Sequence, residues 1–300
     1  MRILDLVSPR PDVRPDPALV VAFDGWTDAG NGGTGAAEHL LERYPSRLIG
    51  TFAADALYDY RDRRPALEID RGRLREVRWP TLTVQHLAPA SGPDLLVIHG
   101  PEPDLGWRSL AADVKELADL LGVRRYVGLG SVPGPLPHTR PVQMVCTSND
   151  DGLLERLGGA HEQMVVPASA QVALEAELGT HGLTTLGMWV RIPHYVAGPY
   201  PEASRVLLER LSSHLGTPVD LSGFDREIED NRERLDVAAT SSDEVRDHVA
   251  QLERLYDAEQ RPPEGPLGID LQRGAPITDV DVPSGDELAA EIERFLRGGT

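Results

Sequence analysis

Between residue 18 and about residue 217 the chain alternates short, nearly continuous apolar runs with segments of helical period. This alternation restricts the fold more than any single residue does. Residues 18–23 (ALVVAF), 47–53, 81–87, 94–98, 125–129, 142–147 and 184–192 read as strands. Several lack the polar–apolar alternation of a strand with one wet face, as expected where both sheet faces are covered. Residues 34–44, 109–121, 169–178 and 202–215 read as helices, with Leu110, Val114, Leu117 and Leu121 forming the buried stripe of the second. The pattern predicts an α/β core domain over 1–218, with a largely parallel sheet and helices on both sides.

Beyond Pro218 the character changes. Residues 221–235 and 243–256 read as a helical hairpin, an extension over 219–259 that packs on the core or on a neighbouring subunit. Ser241 and Glu244 have the spacing of a capping box for the second helix, whose apolar stripe is Val245, Val249, Leu252, Leu255 and Tyr256. A Pro/Gly-rich linker is expected over 260–283 and a terminal helix over 284–300.

Charge excludes whole classes of partner. Thirty basic residues face 48 acidic ones, a formal net charge of −18. Nucleic acid and anionic membranes both reward a basic face, so neither is expected as a partner. Lys115 is the single lysine, on the polar side of a predicted helix rather than in a loop, which argues against lysine-clamped phosphate chemistry such as that of a nucleotide-dependent ligase. Cys146, the single cysteine, falls in a predicted strand and reads as a small core residue. A lone cysteine excludes an internal disulfide framework and fits a reducing cytoplasm. No run reaches the roughly 20 apolar residues of a membrane span, and the N-terminus has no signal-peptide core. Nine histidines occur without an i, i+4 pair, so no metal is expected; no cofactor is expected either.

Gly30-Asn31-Gly32-Gly33-Thr34-Gly35 spells G-x-G-x-x-G, but six residues separate it from the strand, and Asp24 and Asp28 would flank a bound pyrophosphate. Asp28 reads instead as a helix N-cap, with the glycines packed closely in the first turn. In an open parallel sheet the loops after the strands' carboxyl ends crowd one crevice. Those loops carry Asp24, Trp26, Asp55, Tyr58, Tyr60, Arg61, His99, Glu102, Ser131, His138, Thr139 and Arg140. If the chain is an enzyme, Asp24, Glu102, His138 and Arg140 are its candidate catalytic residues. No spacing among them is diagnostic, and a polar network bracing long loops is the simpler reading. Trp26, Tyr58, Tyr60, Arg61, Arg64, Trp107, His138 and Arg140 are the candidate partner-binding residues, since loop aromatics and arginines are enriched at interfaces.

The loops carry several motifs in one order. Gly25-Trp26-Thr27-Asp28-Ala29-Gly30 resembles the GWxDAG signature of the proteasome assembly chaperone 2 family in its bacterial form. Tyr58 to Pro65, Gly100 to Arg108, Pro137-His138-Thr139-Arg140-Pro141, and Val190 to Tyr195 with Pro201-Glu202-Ala203 resemble its DYRxxRP, GxEPDxxW, PHTRP and VPHY segments. The resemblance spans about residues 15–260. It implies a three-layer α/β/α sandwich similar to the purine nucleoside phosphorylase type, with added C-terminal helices. It also implies oligomeric assembly, a homotrimer in our reading, and a role in protein assembly, with proteasome subunits as candidate partners and without agreed catalytic residues. The last residues, Phe295 to Thr300, lack the hydrophobic–Tyr–any tail of some proteasome chaperones, so docking through such a tail is not expected. The alternative implied by the fold is a nucleoside-phosphorylase-like or hydrolase-like enzyme using the crevice.

Overall fold

The central strand shows how the layers arise. In β2 (Ala18–Asp24) every residue from Ala18 to Phe23 is buried. Ala18, Val20 and Ala22 point into one core, and Leu19, Val21 and Phe23 into another. Two-residue periodicity thus feeds two helix layers from one apolar run. Burying a large side chain of this kind contributes about 1.5–3 kcal/mol. A computed structural model describes residues 3–8, 12–157 and 165–260. The linker expected at 260–283, beyond its first residue, and the helix expected at 284–300 lie outside the described residues.

The elements in chain order begin with β1 (Leu4–Leu6), β2, a 3-10 turn at Ala29–Asn31, α1 (Gly32–Arg43), β3 (Ser46–Phe52) and α2 (Ala54–Leu57). Next come β4 (Ala66–Asp70), β5 (Arg73–Arg78), β6 (Thr83–Leu87), β7 (Leu95–Pro101), α3 (Trp107–Leu121), β8 (Arg125–Gly134) and β9 (Gln143–Ser148). The chain continues through α4 (Asp151–Leu157), α5 (Ala170–Thr180), β10 (Thr184–Pro193), α6 (Pro201–Leu215), α7 (Phe224–Ala239) and α8 (Asp243–Glu259).

Eight strands form one sheet in the order β1-β3-β6-β7-β2-β8-β10-β9. The centre, β7-β2-β8-β10, is parallel, while β1, β3 and β6 extend one flank and β9 the other by antiparallel pairing. α1 and α6 pack on one face and α3 and α5 on the other, giving the expected α/β/α layering. The α3 stripe buries Leu110, Val114 and Leu117, whereas Leu121 at its end is only half-buried. Cys146 is buried on β9, and Lys115 pairs with Asp119 on the wet side of α3 at 2.7 Å.

Five elements escape the sequence reading: β1, the two strands of the β4–β5 ribbon, and the short helices α2 and α4. β1 is held by Asp113 of α3, which accepts the Ile3 and Leu4 amides at 2.5 and 2.6 Å. The ribbon turns through Arg71 and Gly72, with φ of 49° and 78°, the pair of positive φ values that a two-residue hairpin turn demands.

Near the C-terminus α7 packs its Phe224 and Leu235 on the α1–α6 core, and α8 buries Val245, Val249 and Leu252 with Ala238 and Tyr195. The cap of α8 differs by one residue from expectation. Ser242, not Ser241, accepts the Val245 amide at 3.1 Å, because the Ser241 amide still closes the last turn of α7 on Ala238.

Candidate functional site

The parallel strands deliver their following loops to one end of the sheet, where the polar residues divide into two groups. The first surrounds the loop after β2. Glu102, directly after β7, accepts the Trp26 amide with Oε2 and the Ala170 amide with Oε1, both at 2.7 Å. One carboxylate therefore holds the β2 loop and the first turn of α5, where the helix dipole favours negative charge. The close fit also explains Gly25, since a β-carbon there would come within 2.5 Å of the Glu102 side chain. Asp24 is exposed, with Arg63 3.4 Å away. Replacing Glu102 with alanine is expected to cost about 2 kcal/mol in urea unfolding, as two charge-assisted bonds are lost from a half-buried position.

Asp28 is the buried centre of this loop. Its Oδ1 accepts the Gly33 and Thr34 amides at 2.7 and 3.1 Å, and its Oδ2 accepts the Thr34 hydroxyl. It caps α1 as expected, but across an intervening 3-10 turn. Burial raises its pKa to about 6, against the opposing pull of these hydrogen bonds. Ser131 on β8 accepts the Gly32 amide and donates to the Ala29 carbonyl. The glycines of the G-x-G-x-x-G string serve packing. A β-carbon at Gly32 would overlap Ser131 and approach Ala203, and one at Gly35 would lie 2.7 Å from Ser204. They let α1 lie close to β8 and α6.

The second group is formed by residues 137–141 after β8. His138 is buried, and its ring lies between Tyr195 and Asp236. The Tyr195 hydroxyl accepts the His138 amide at 2.8 Å and donates to Nδ1 at 2.7 Å, which leaves Nε2–H to donate to Asp236 at 3.1 Å. Burial lowers the imidazole's pKa, while the neighbouring Asp236 and Glu253 carboxylates oppose that shift. Arg140 forms a two-pronged pair with Asp257, both contacts at 2.8 Å, and reaches Glu253 at 3.2 Å. Thr139 donates to Glu253 at 2.5 Å, and Tyr256 donates to the Pro141 carbonyl. His194 and His248 meet through their Nε2 atoms at 3.3 Å. Burial and the neighbouring His194 lower the pKa of His248. This loop is a clasp for α7 and α8.

Asp24 and Glu102 therefore belong to the β2 loop, whereas His138 and Arg140 belong to the C-terminal helices. The cavity beside His138, between Tyr200, Glu202, Asn231 and Arg232, has room for about one water. Among the candidate partner-binding residues, Tyr58 is buried and donates to the Pro101 carbonyl at 2.9 Å, so Tyr58 and His138 hold loops rather than face a partner. Trp107 starts α3 half-buried, its indole N–H donating to Pro103 at 2.6 Å. Trp26 is 70% exposed. Tyr60 is half-buried, donates to Asp55 and stacks edge-on against Trp79. Arg61 and Arg64 are exposed. His99 lies half-buried within β7, its pKa lowered by burial.

The residues missed from sequence are the acceptors of the clasp, Asp236, Glu253 and Asp257, and a second buried carboxyl, Glu175 of α5. Glu175 accepts the Thr147 hydroxyl at 2.8 Å, and burial raises its pKa to about 7. Among the described residues no group of three or more His, Cys, Asp or Glu side chains is arranged to hold a metal ion. None of the described helices is long and apolar enough to cross a membrane.

Comparison with known proteins gives a consistent result. The family model described as the PAC2 family matches residues 22–239. The solved structure of the Mycobacterium tuberculosis protein Rv2714 is 34% identical, with a TM-score of 0.80 over 86% of this chain and 91% of that one. A Corynebacterium glutamicum protein is 31% identical, with a TM-score of 0.81 over 86% and 98% of the two chains. The Mycobacterium tuberculosis proteasome-assembly chaperone homologue Rv2125 is 27% identical, with a TM-score of 0.73 over 77% and 99%. No curated protein matches the chain. On the extent of the family match, supported by the same α/β/α core in these relatives, the chain belongs to the PAC2 family.

Proposed function

We propose that this protein is an assembly-chaperone-like module that works by binding proteins, as a self-associated trimer in the cytoplasm, with proteasome subunits as partners. The observation that carries this reading is the use of the crevice residues. Glu102 is occupied by two backbone amides, and His138 and Arg140 hold α7 and α8. The polar groups at this end of the sheet brace loops, and those loops present the exposed Trp26 with Arg61 and Arg64 outward. An exposed tryptophan and exposed arginines suit a protein interface, where both residue types are enriched. The resemblance to Rv2125, itself described as a proteasome-assembly chaperone homologue, supports proteasome subunits as the partner class.

Affinity capture of the tagged protein from its own cells is expected to recover proteasome subunits. Recovery is expected to fall at least tenfold with Trp26→Ala, while Glu102→Gln retains it if folded. Capture that recovers no proteasome subunit under conditions preserving other complexes would reject the reading. Binding that is indifferent to Trp26 would move the contact elsewhere on the surface.

A further inference from the structure

Two histidines distant in the chain meet where α8 lies against the end of the sheet. His194 directly follows β10, and His248 stands in the second turn of α8. Their Nε2 atoms face each other at 3.3 Å, with the ring planes at 89°. A proton can bridge two such nitrogens, and so can a metal ion. Two imidazole nitrogens at about 2.0–2.1 Å from one tetrahedral zinc ion stand about 3.3–3.4 Å apart. The observed separation is that of two ligands on one ion.

The tautomer agrees with the spacing. His194 Nδ1 lies 3.3 Å from the Gly134 carbonyl, a position that only an N–H can satisfy. The neutral ring therefore carries its proton on Nδ1 and turns the lone pair of Nε2 toward His248. Fixing one ring nitrogen on a backbone carbonyl while the other binds is the usual arrangement of a metal-ligating histidine. The nearby Tyr195 hydroxyl does not compete, because it is committed to the amide and Nδ1 of His138.

Ligand type selects the ion. Calcium and magnesium are held by oxygen, which the pair does not offer. Imidazole suits zinc, copper and nickel. His194 is half-buried and His248 is 8% exposed, so the pair is not sealed, and water can complete the coordination shell. A chain of net charge −18 also concentrates cations around itself. The two ligands lie 54 residues apart, which is why no histidine spacing announces them.

We infer that His194 and His248 form a two-histidine site for a divalent late-transition-metal ion, zinc foremost, with water in its remaining positions. The ion joins the end of β10 to α8 and so staples the helix beside the His138–Arg140 clasp. This site is independent of the proposed protein-binding role.

Calorimetric titration of the full chain, without a histidine tag and stripped with a chelator, tests it with zinc chloride. Wild type is expected to bind one zinc ion per chain and to melt at a higher temperature with zinc, while calcium and magnesium chloride give no shift. His194→Gln and His248→Gln are each expected to lower zinc affinity at least about tenfold, with unchanged far-UV circular dichroism. Zinc should raise hydrogen-exchange protection of α8 in wild type and in neither variant. If a variant fails to fold, copper(II) on wild type gives the answer without mutation, since its electron paramagnetic resonance should show coupling to two imidazole nitrogens. No zinc binding by wild type, affinity unchanged in either folded variant, or a copper spectrum with any other number of nitrogens would overturn the site.

Discussion

Asp28→Ala is expected to destabilise the protein by about 3 kcal/mol, because the buried Gly33 and Thr34 amides and the Thr34 hydroxyl lose their acceptor. The loss would be concentrated where α1, α6 and β8 meet, since Gly32 and Gly35 permit that close packing only while the first turn of α1 stays in place. Chemical denaturation at pH 7 measures the change; a loss below about 0.5 kcal/mol would show that Asp28 does not organise this loop. Asp28→Asn separates capping from charge, because the amide oxygen can still accept both backbone N–H groups. The pKa of Asp28 is raised in the folded state from 3.8 to about 6, so the unfolded chain binds fewer protons between those values. Its contribution to stability is therefore present at low pH and lost as pH rises through about 6. Asp28→Asn removes that slope.

The second large effect concerns the clasp. His138→Ala is expected to cost about 3 kcal/mol through the lost packing and the loss of the imidazole acceptor for the buried Tyr195 hydroxyl proton. Hydrogen exchange should place the loss in Asp243–Glu259 and the end of α7, with β2, β7 and β8 keeping their protection. Arg140→Glu, which sets like charge against Glu253 and Asp257, is expected to expose the same segment. Uniform loss of protection would contradict the clasp.

Acid acts at the same place. Burial lowers the pKa of His138 and of His248 in the folded state, so the unfolded chain binds more protons below the ordinary histidine value of 6.5. Their contribution is complete above that pH and is lost as pH falls through it toward the folded pKa values. Asp28 and Glu175, with pKa values raised to about 6 and about 7, contribute the opposite slope over an overlapping range. Global melting therefore blurs these effects, and local exchange in α8 between pH 7.5 and about 5.5 is the decisive measurement. Protection of α8 that does not fall would contradict the assignment.

How much of this was legible depended on the range of the interaction. The apolar run from Ala18 to Phe23 announced a doubly covered strand because residue period and burial are coupled locally. The packing role of the glycines near Asp28 was readable because a helix cap lies within a few residues of its donors. The β4–β5 ribbon was hidden by its arginines, which interrupt the apolar pattern, and by Arg71 at a turn position where Asn, Asp or Gly is the usual signal. His138 and Arg140 looked like crevice residues because their loop follows a parallel strand. Their acceptors, Asp236, Glu253 and Asp257, lie about a hundred residues further along.

The sequence alone determined the layered α/β plan, the acidic body, and the local caps and close glycine contacts, all of which rest on periodicity, composition or neighbours in the chain. Tertiary structure alone decided that Glu102 would tie two loops, that His138 and Arg140 would hold helices instead of a substrate, and that the ribbon would stand exposed. The physical reason is that a carboxylate, imidazole or guanidinium has no intrinsic role. Its protonation, partners and availability depend on what the fold brings within hydrogen-bond distance.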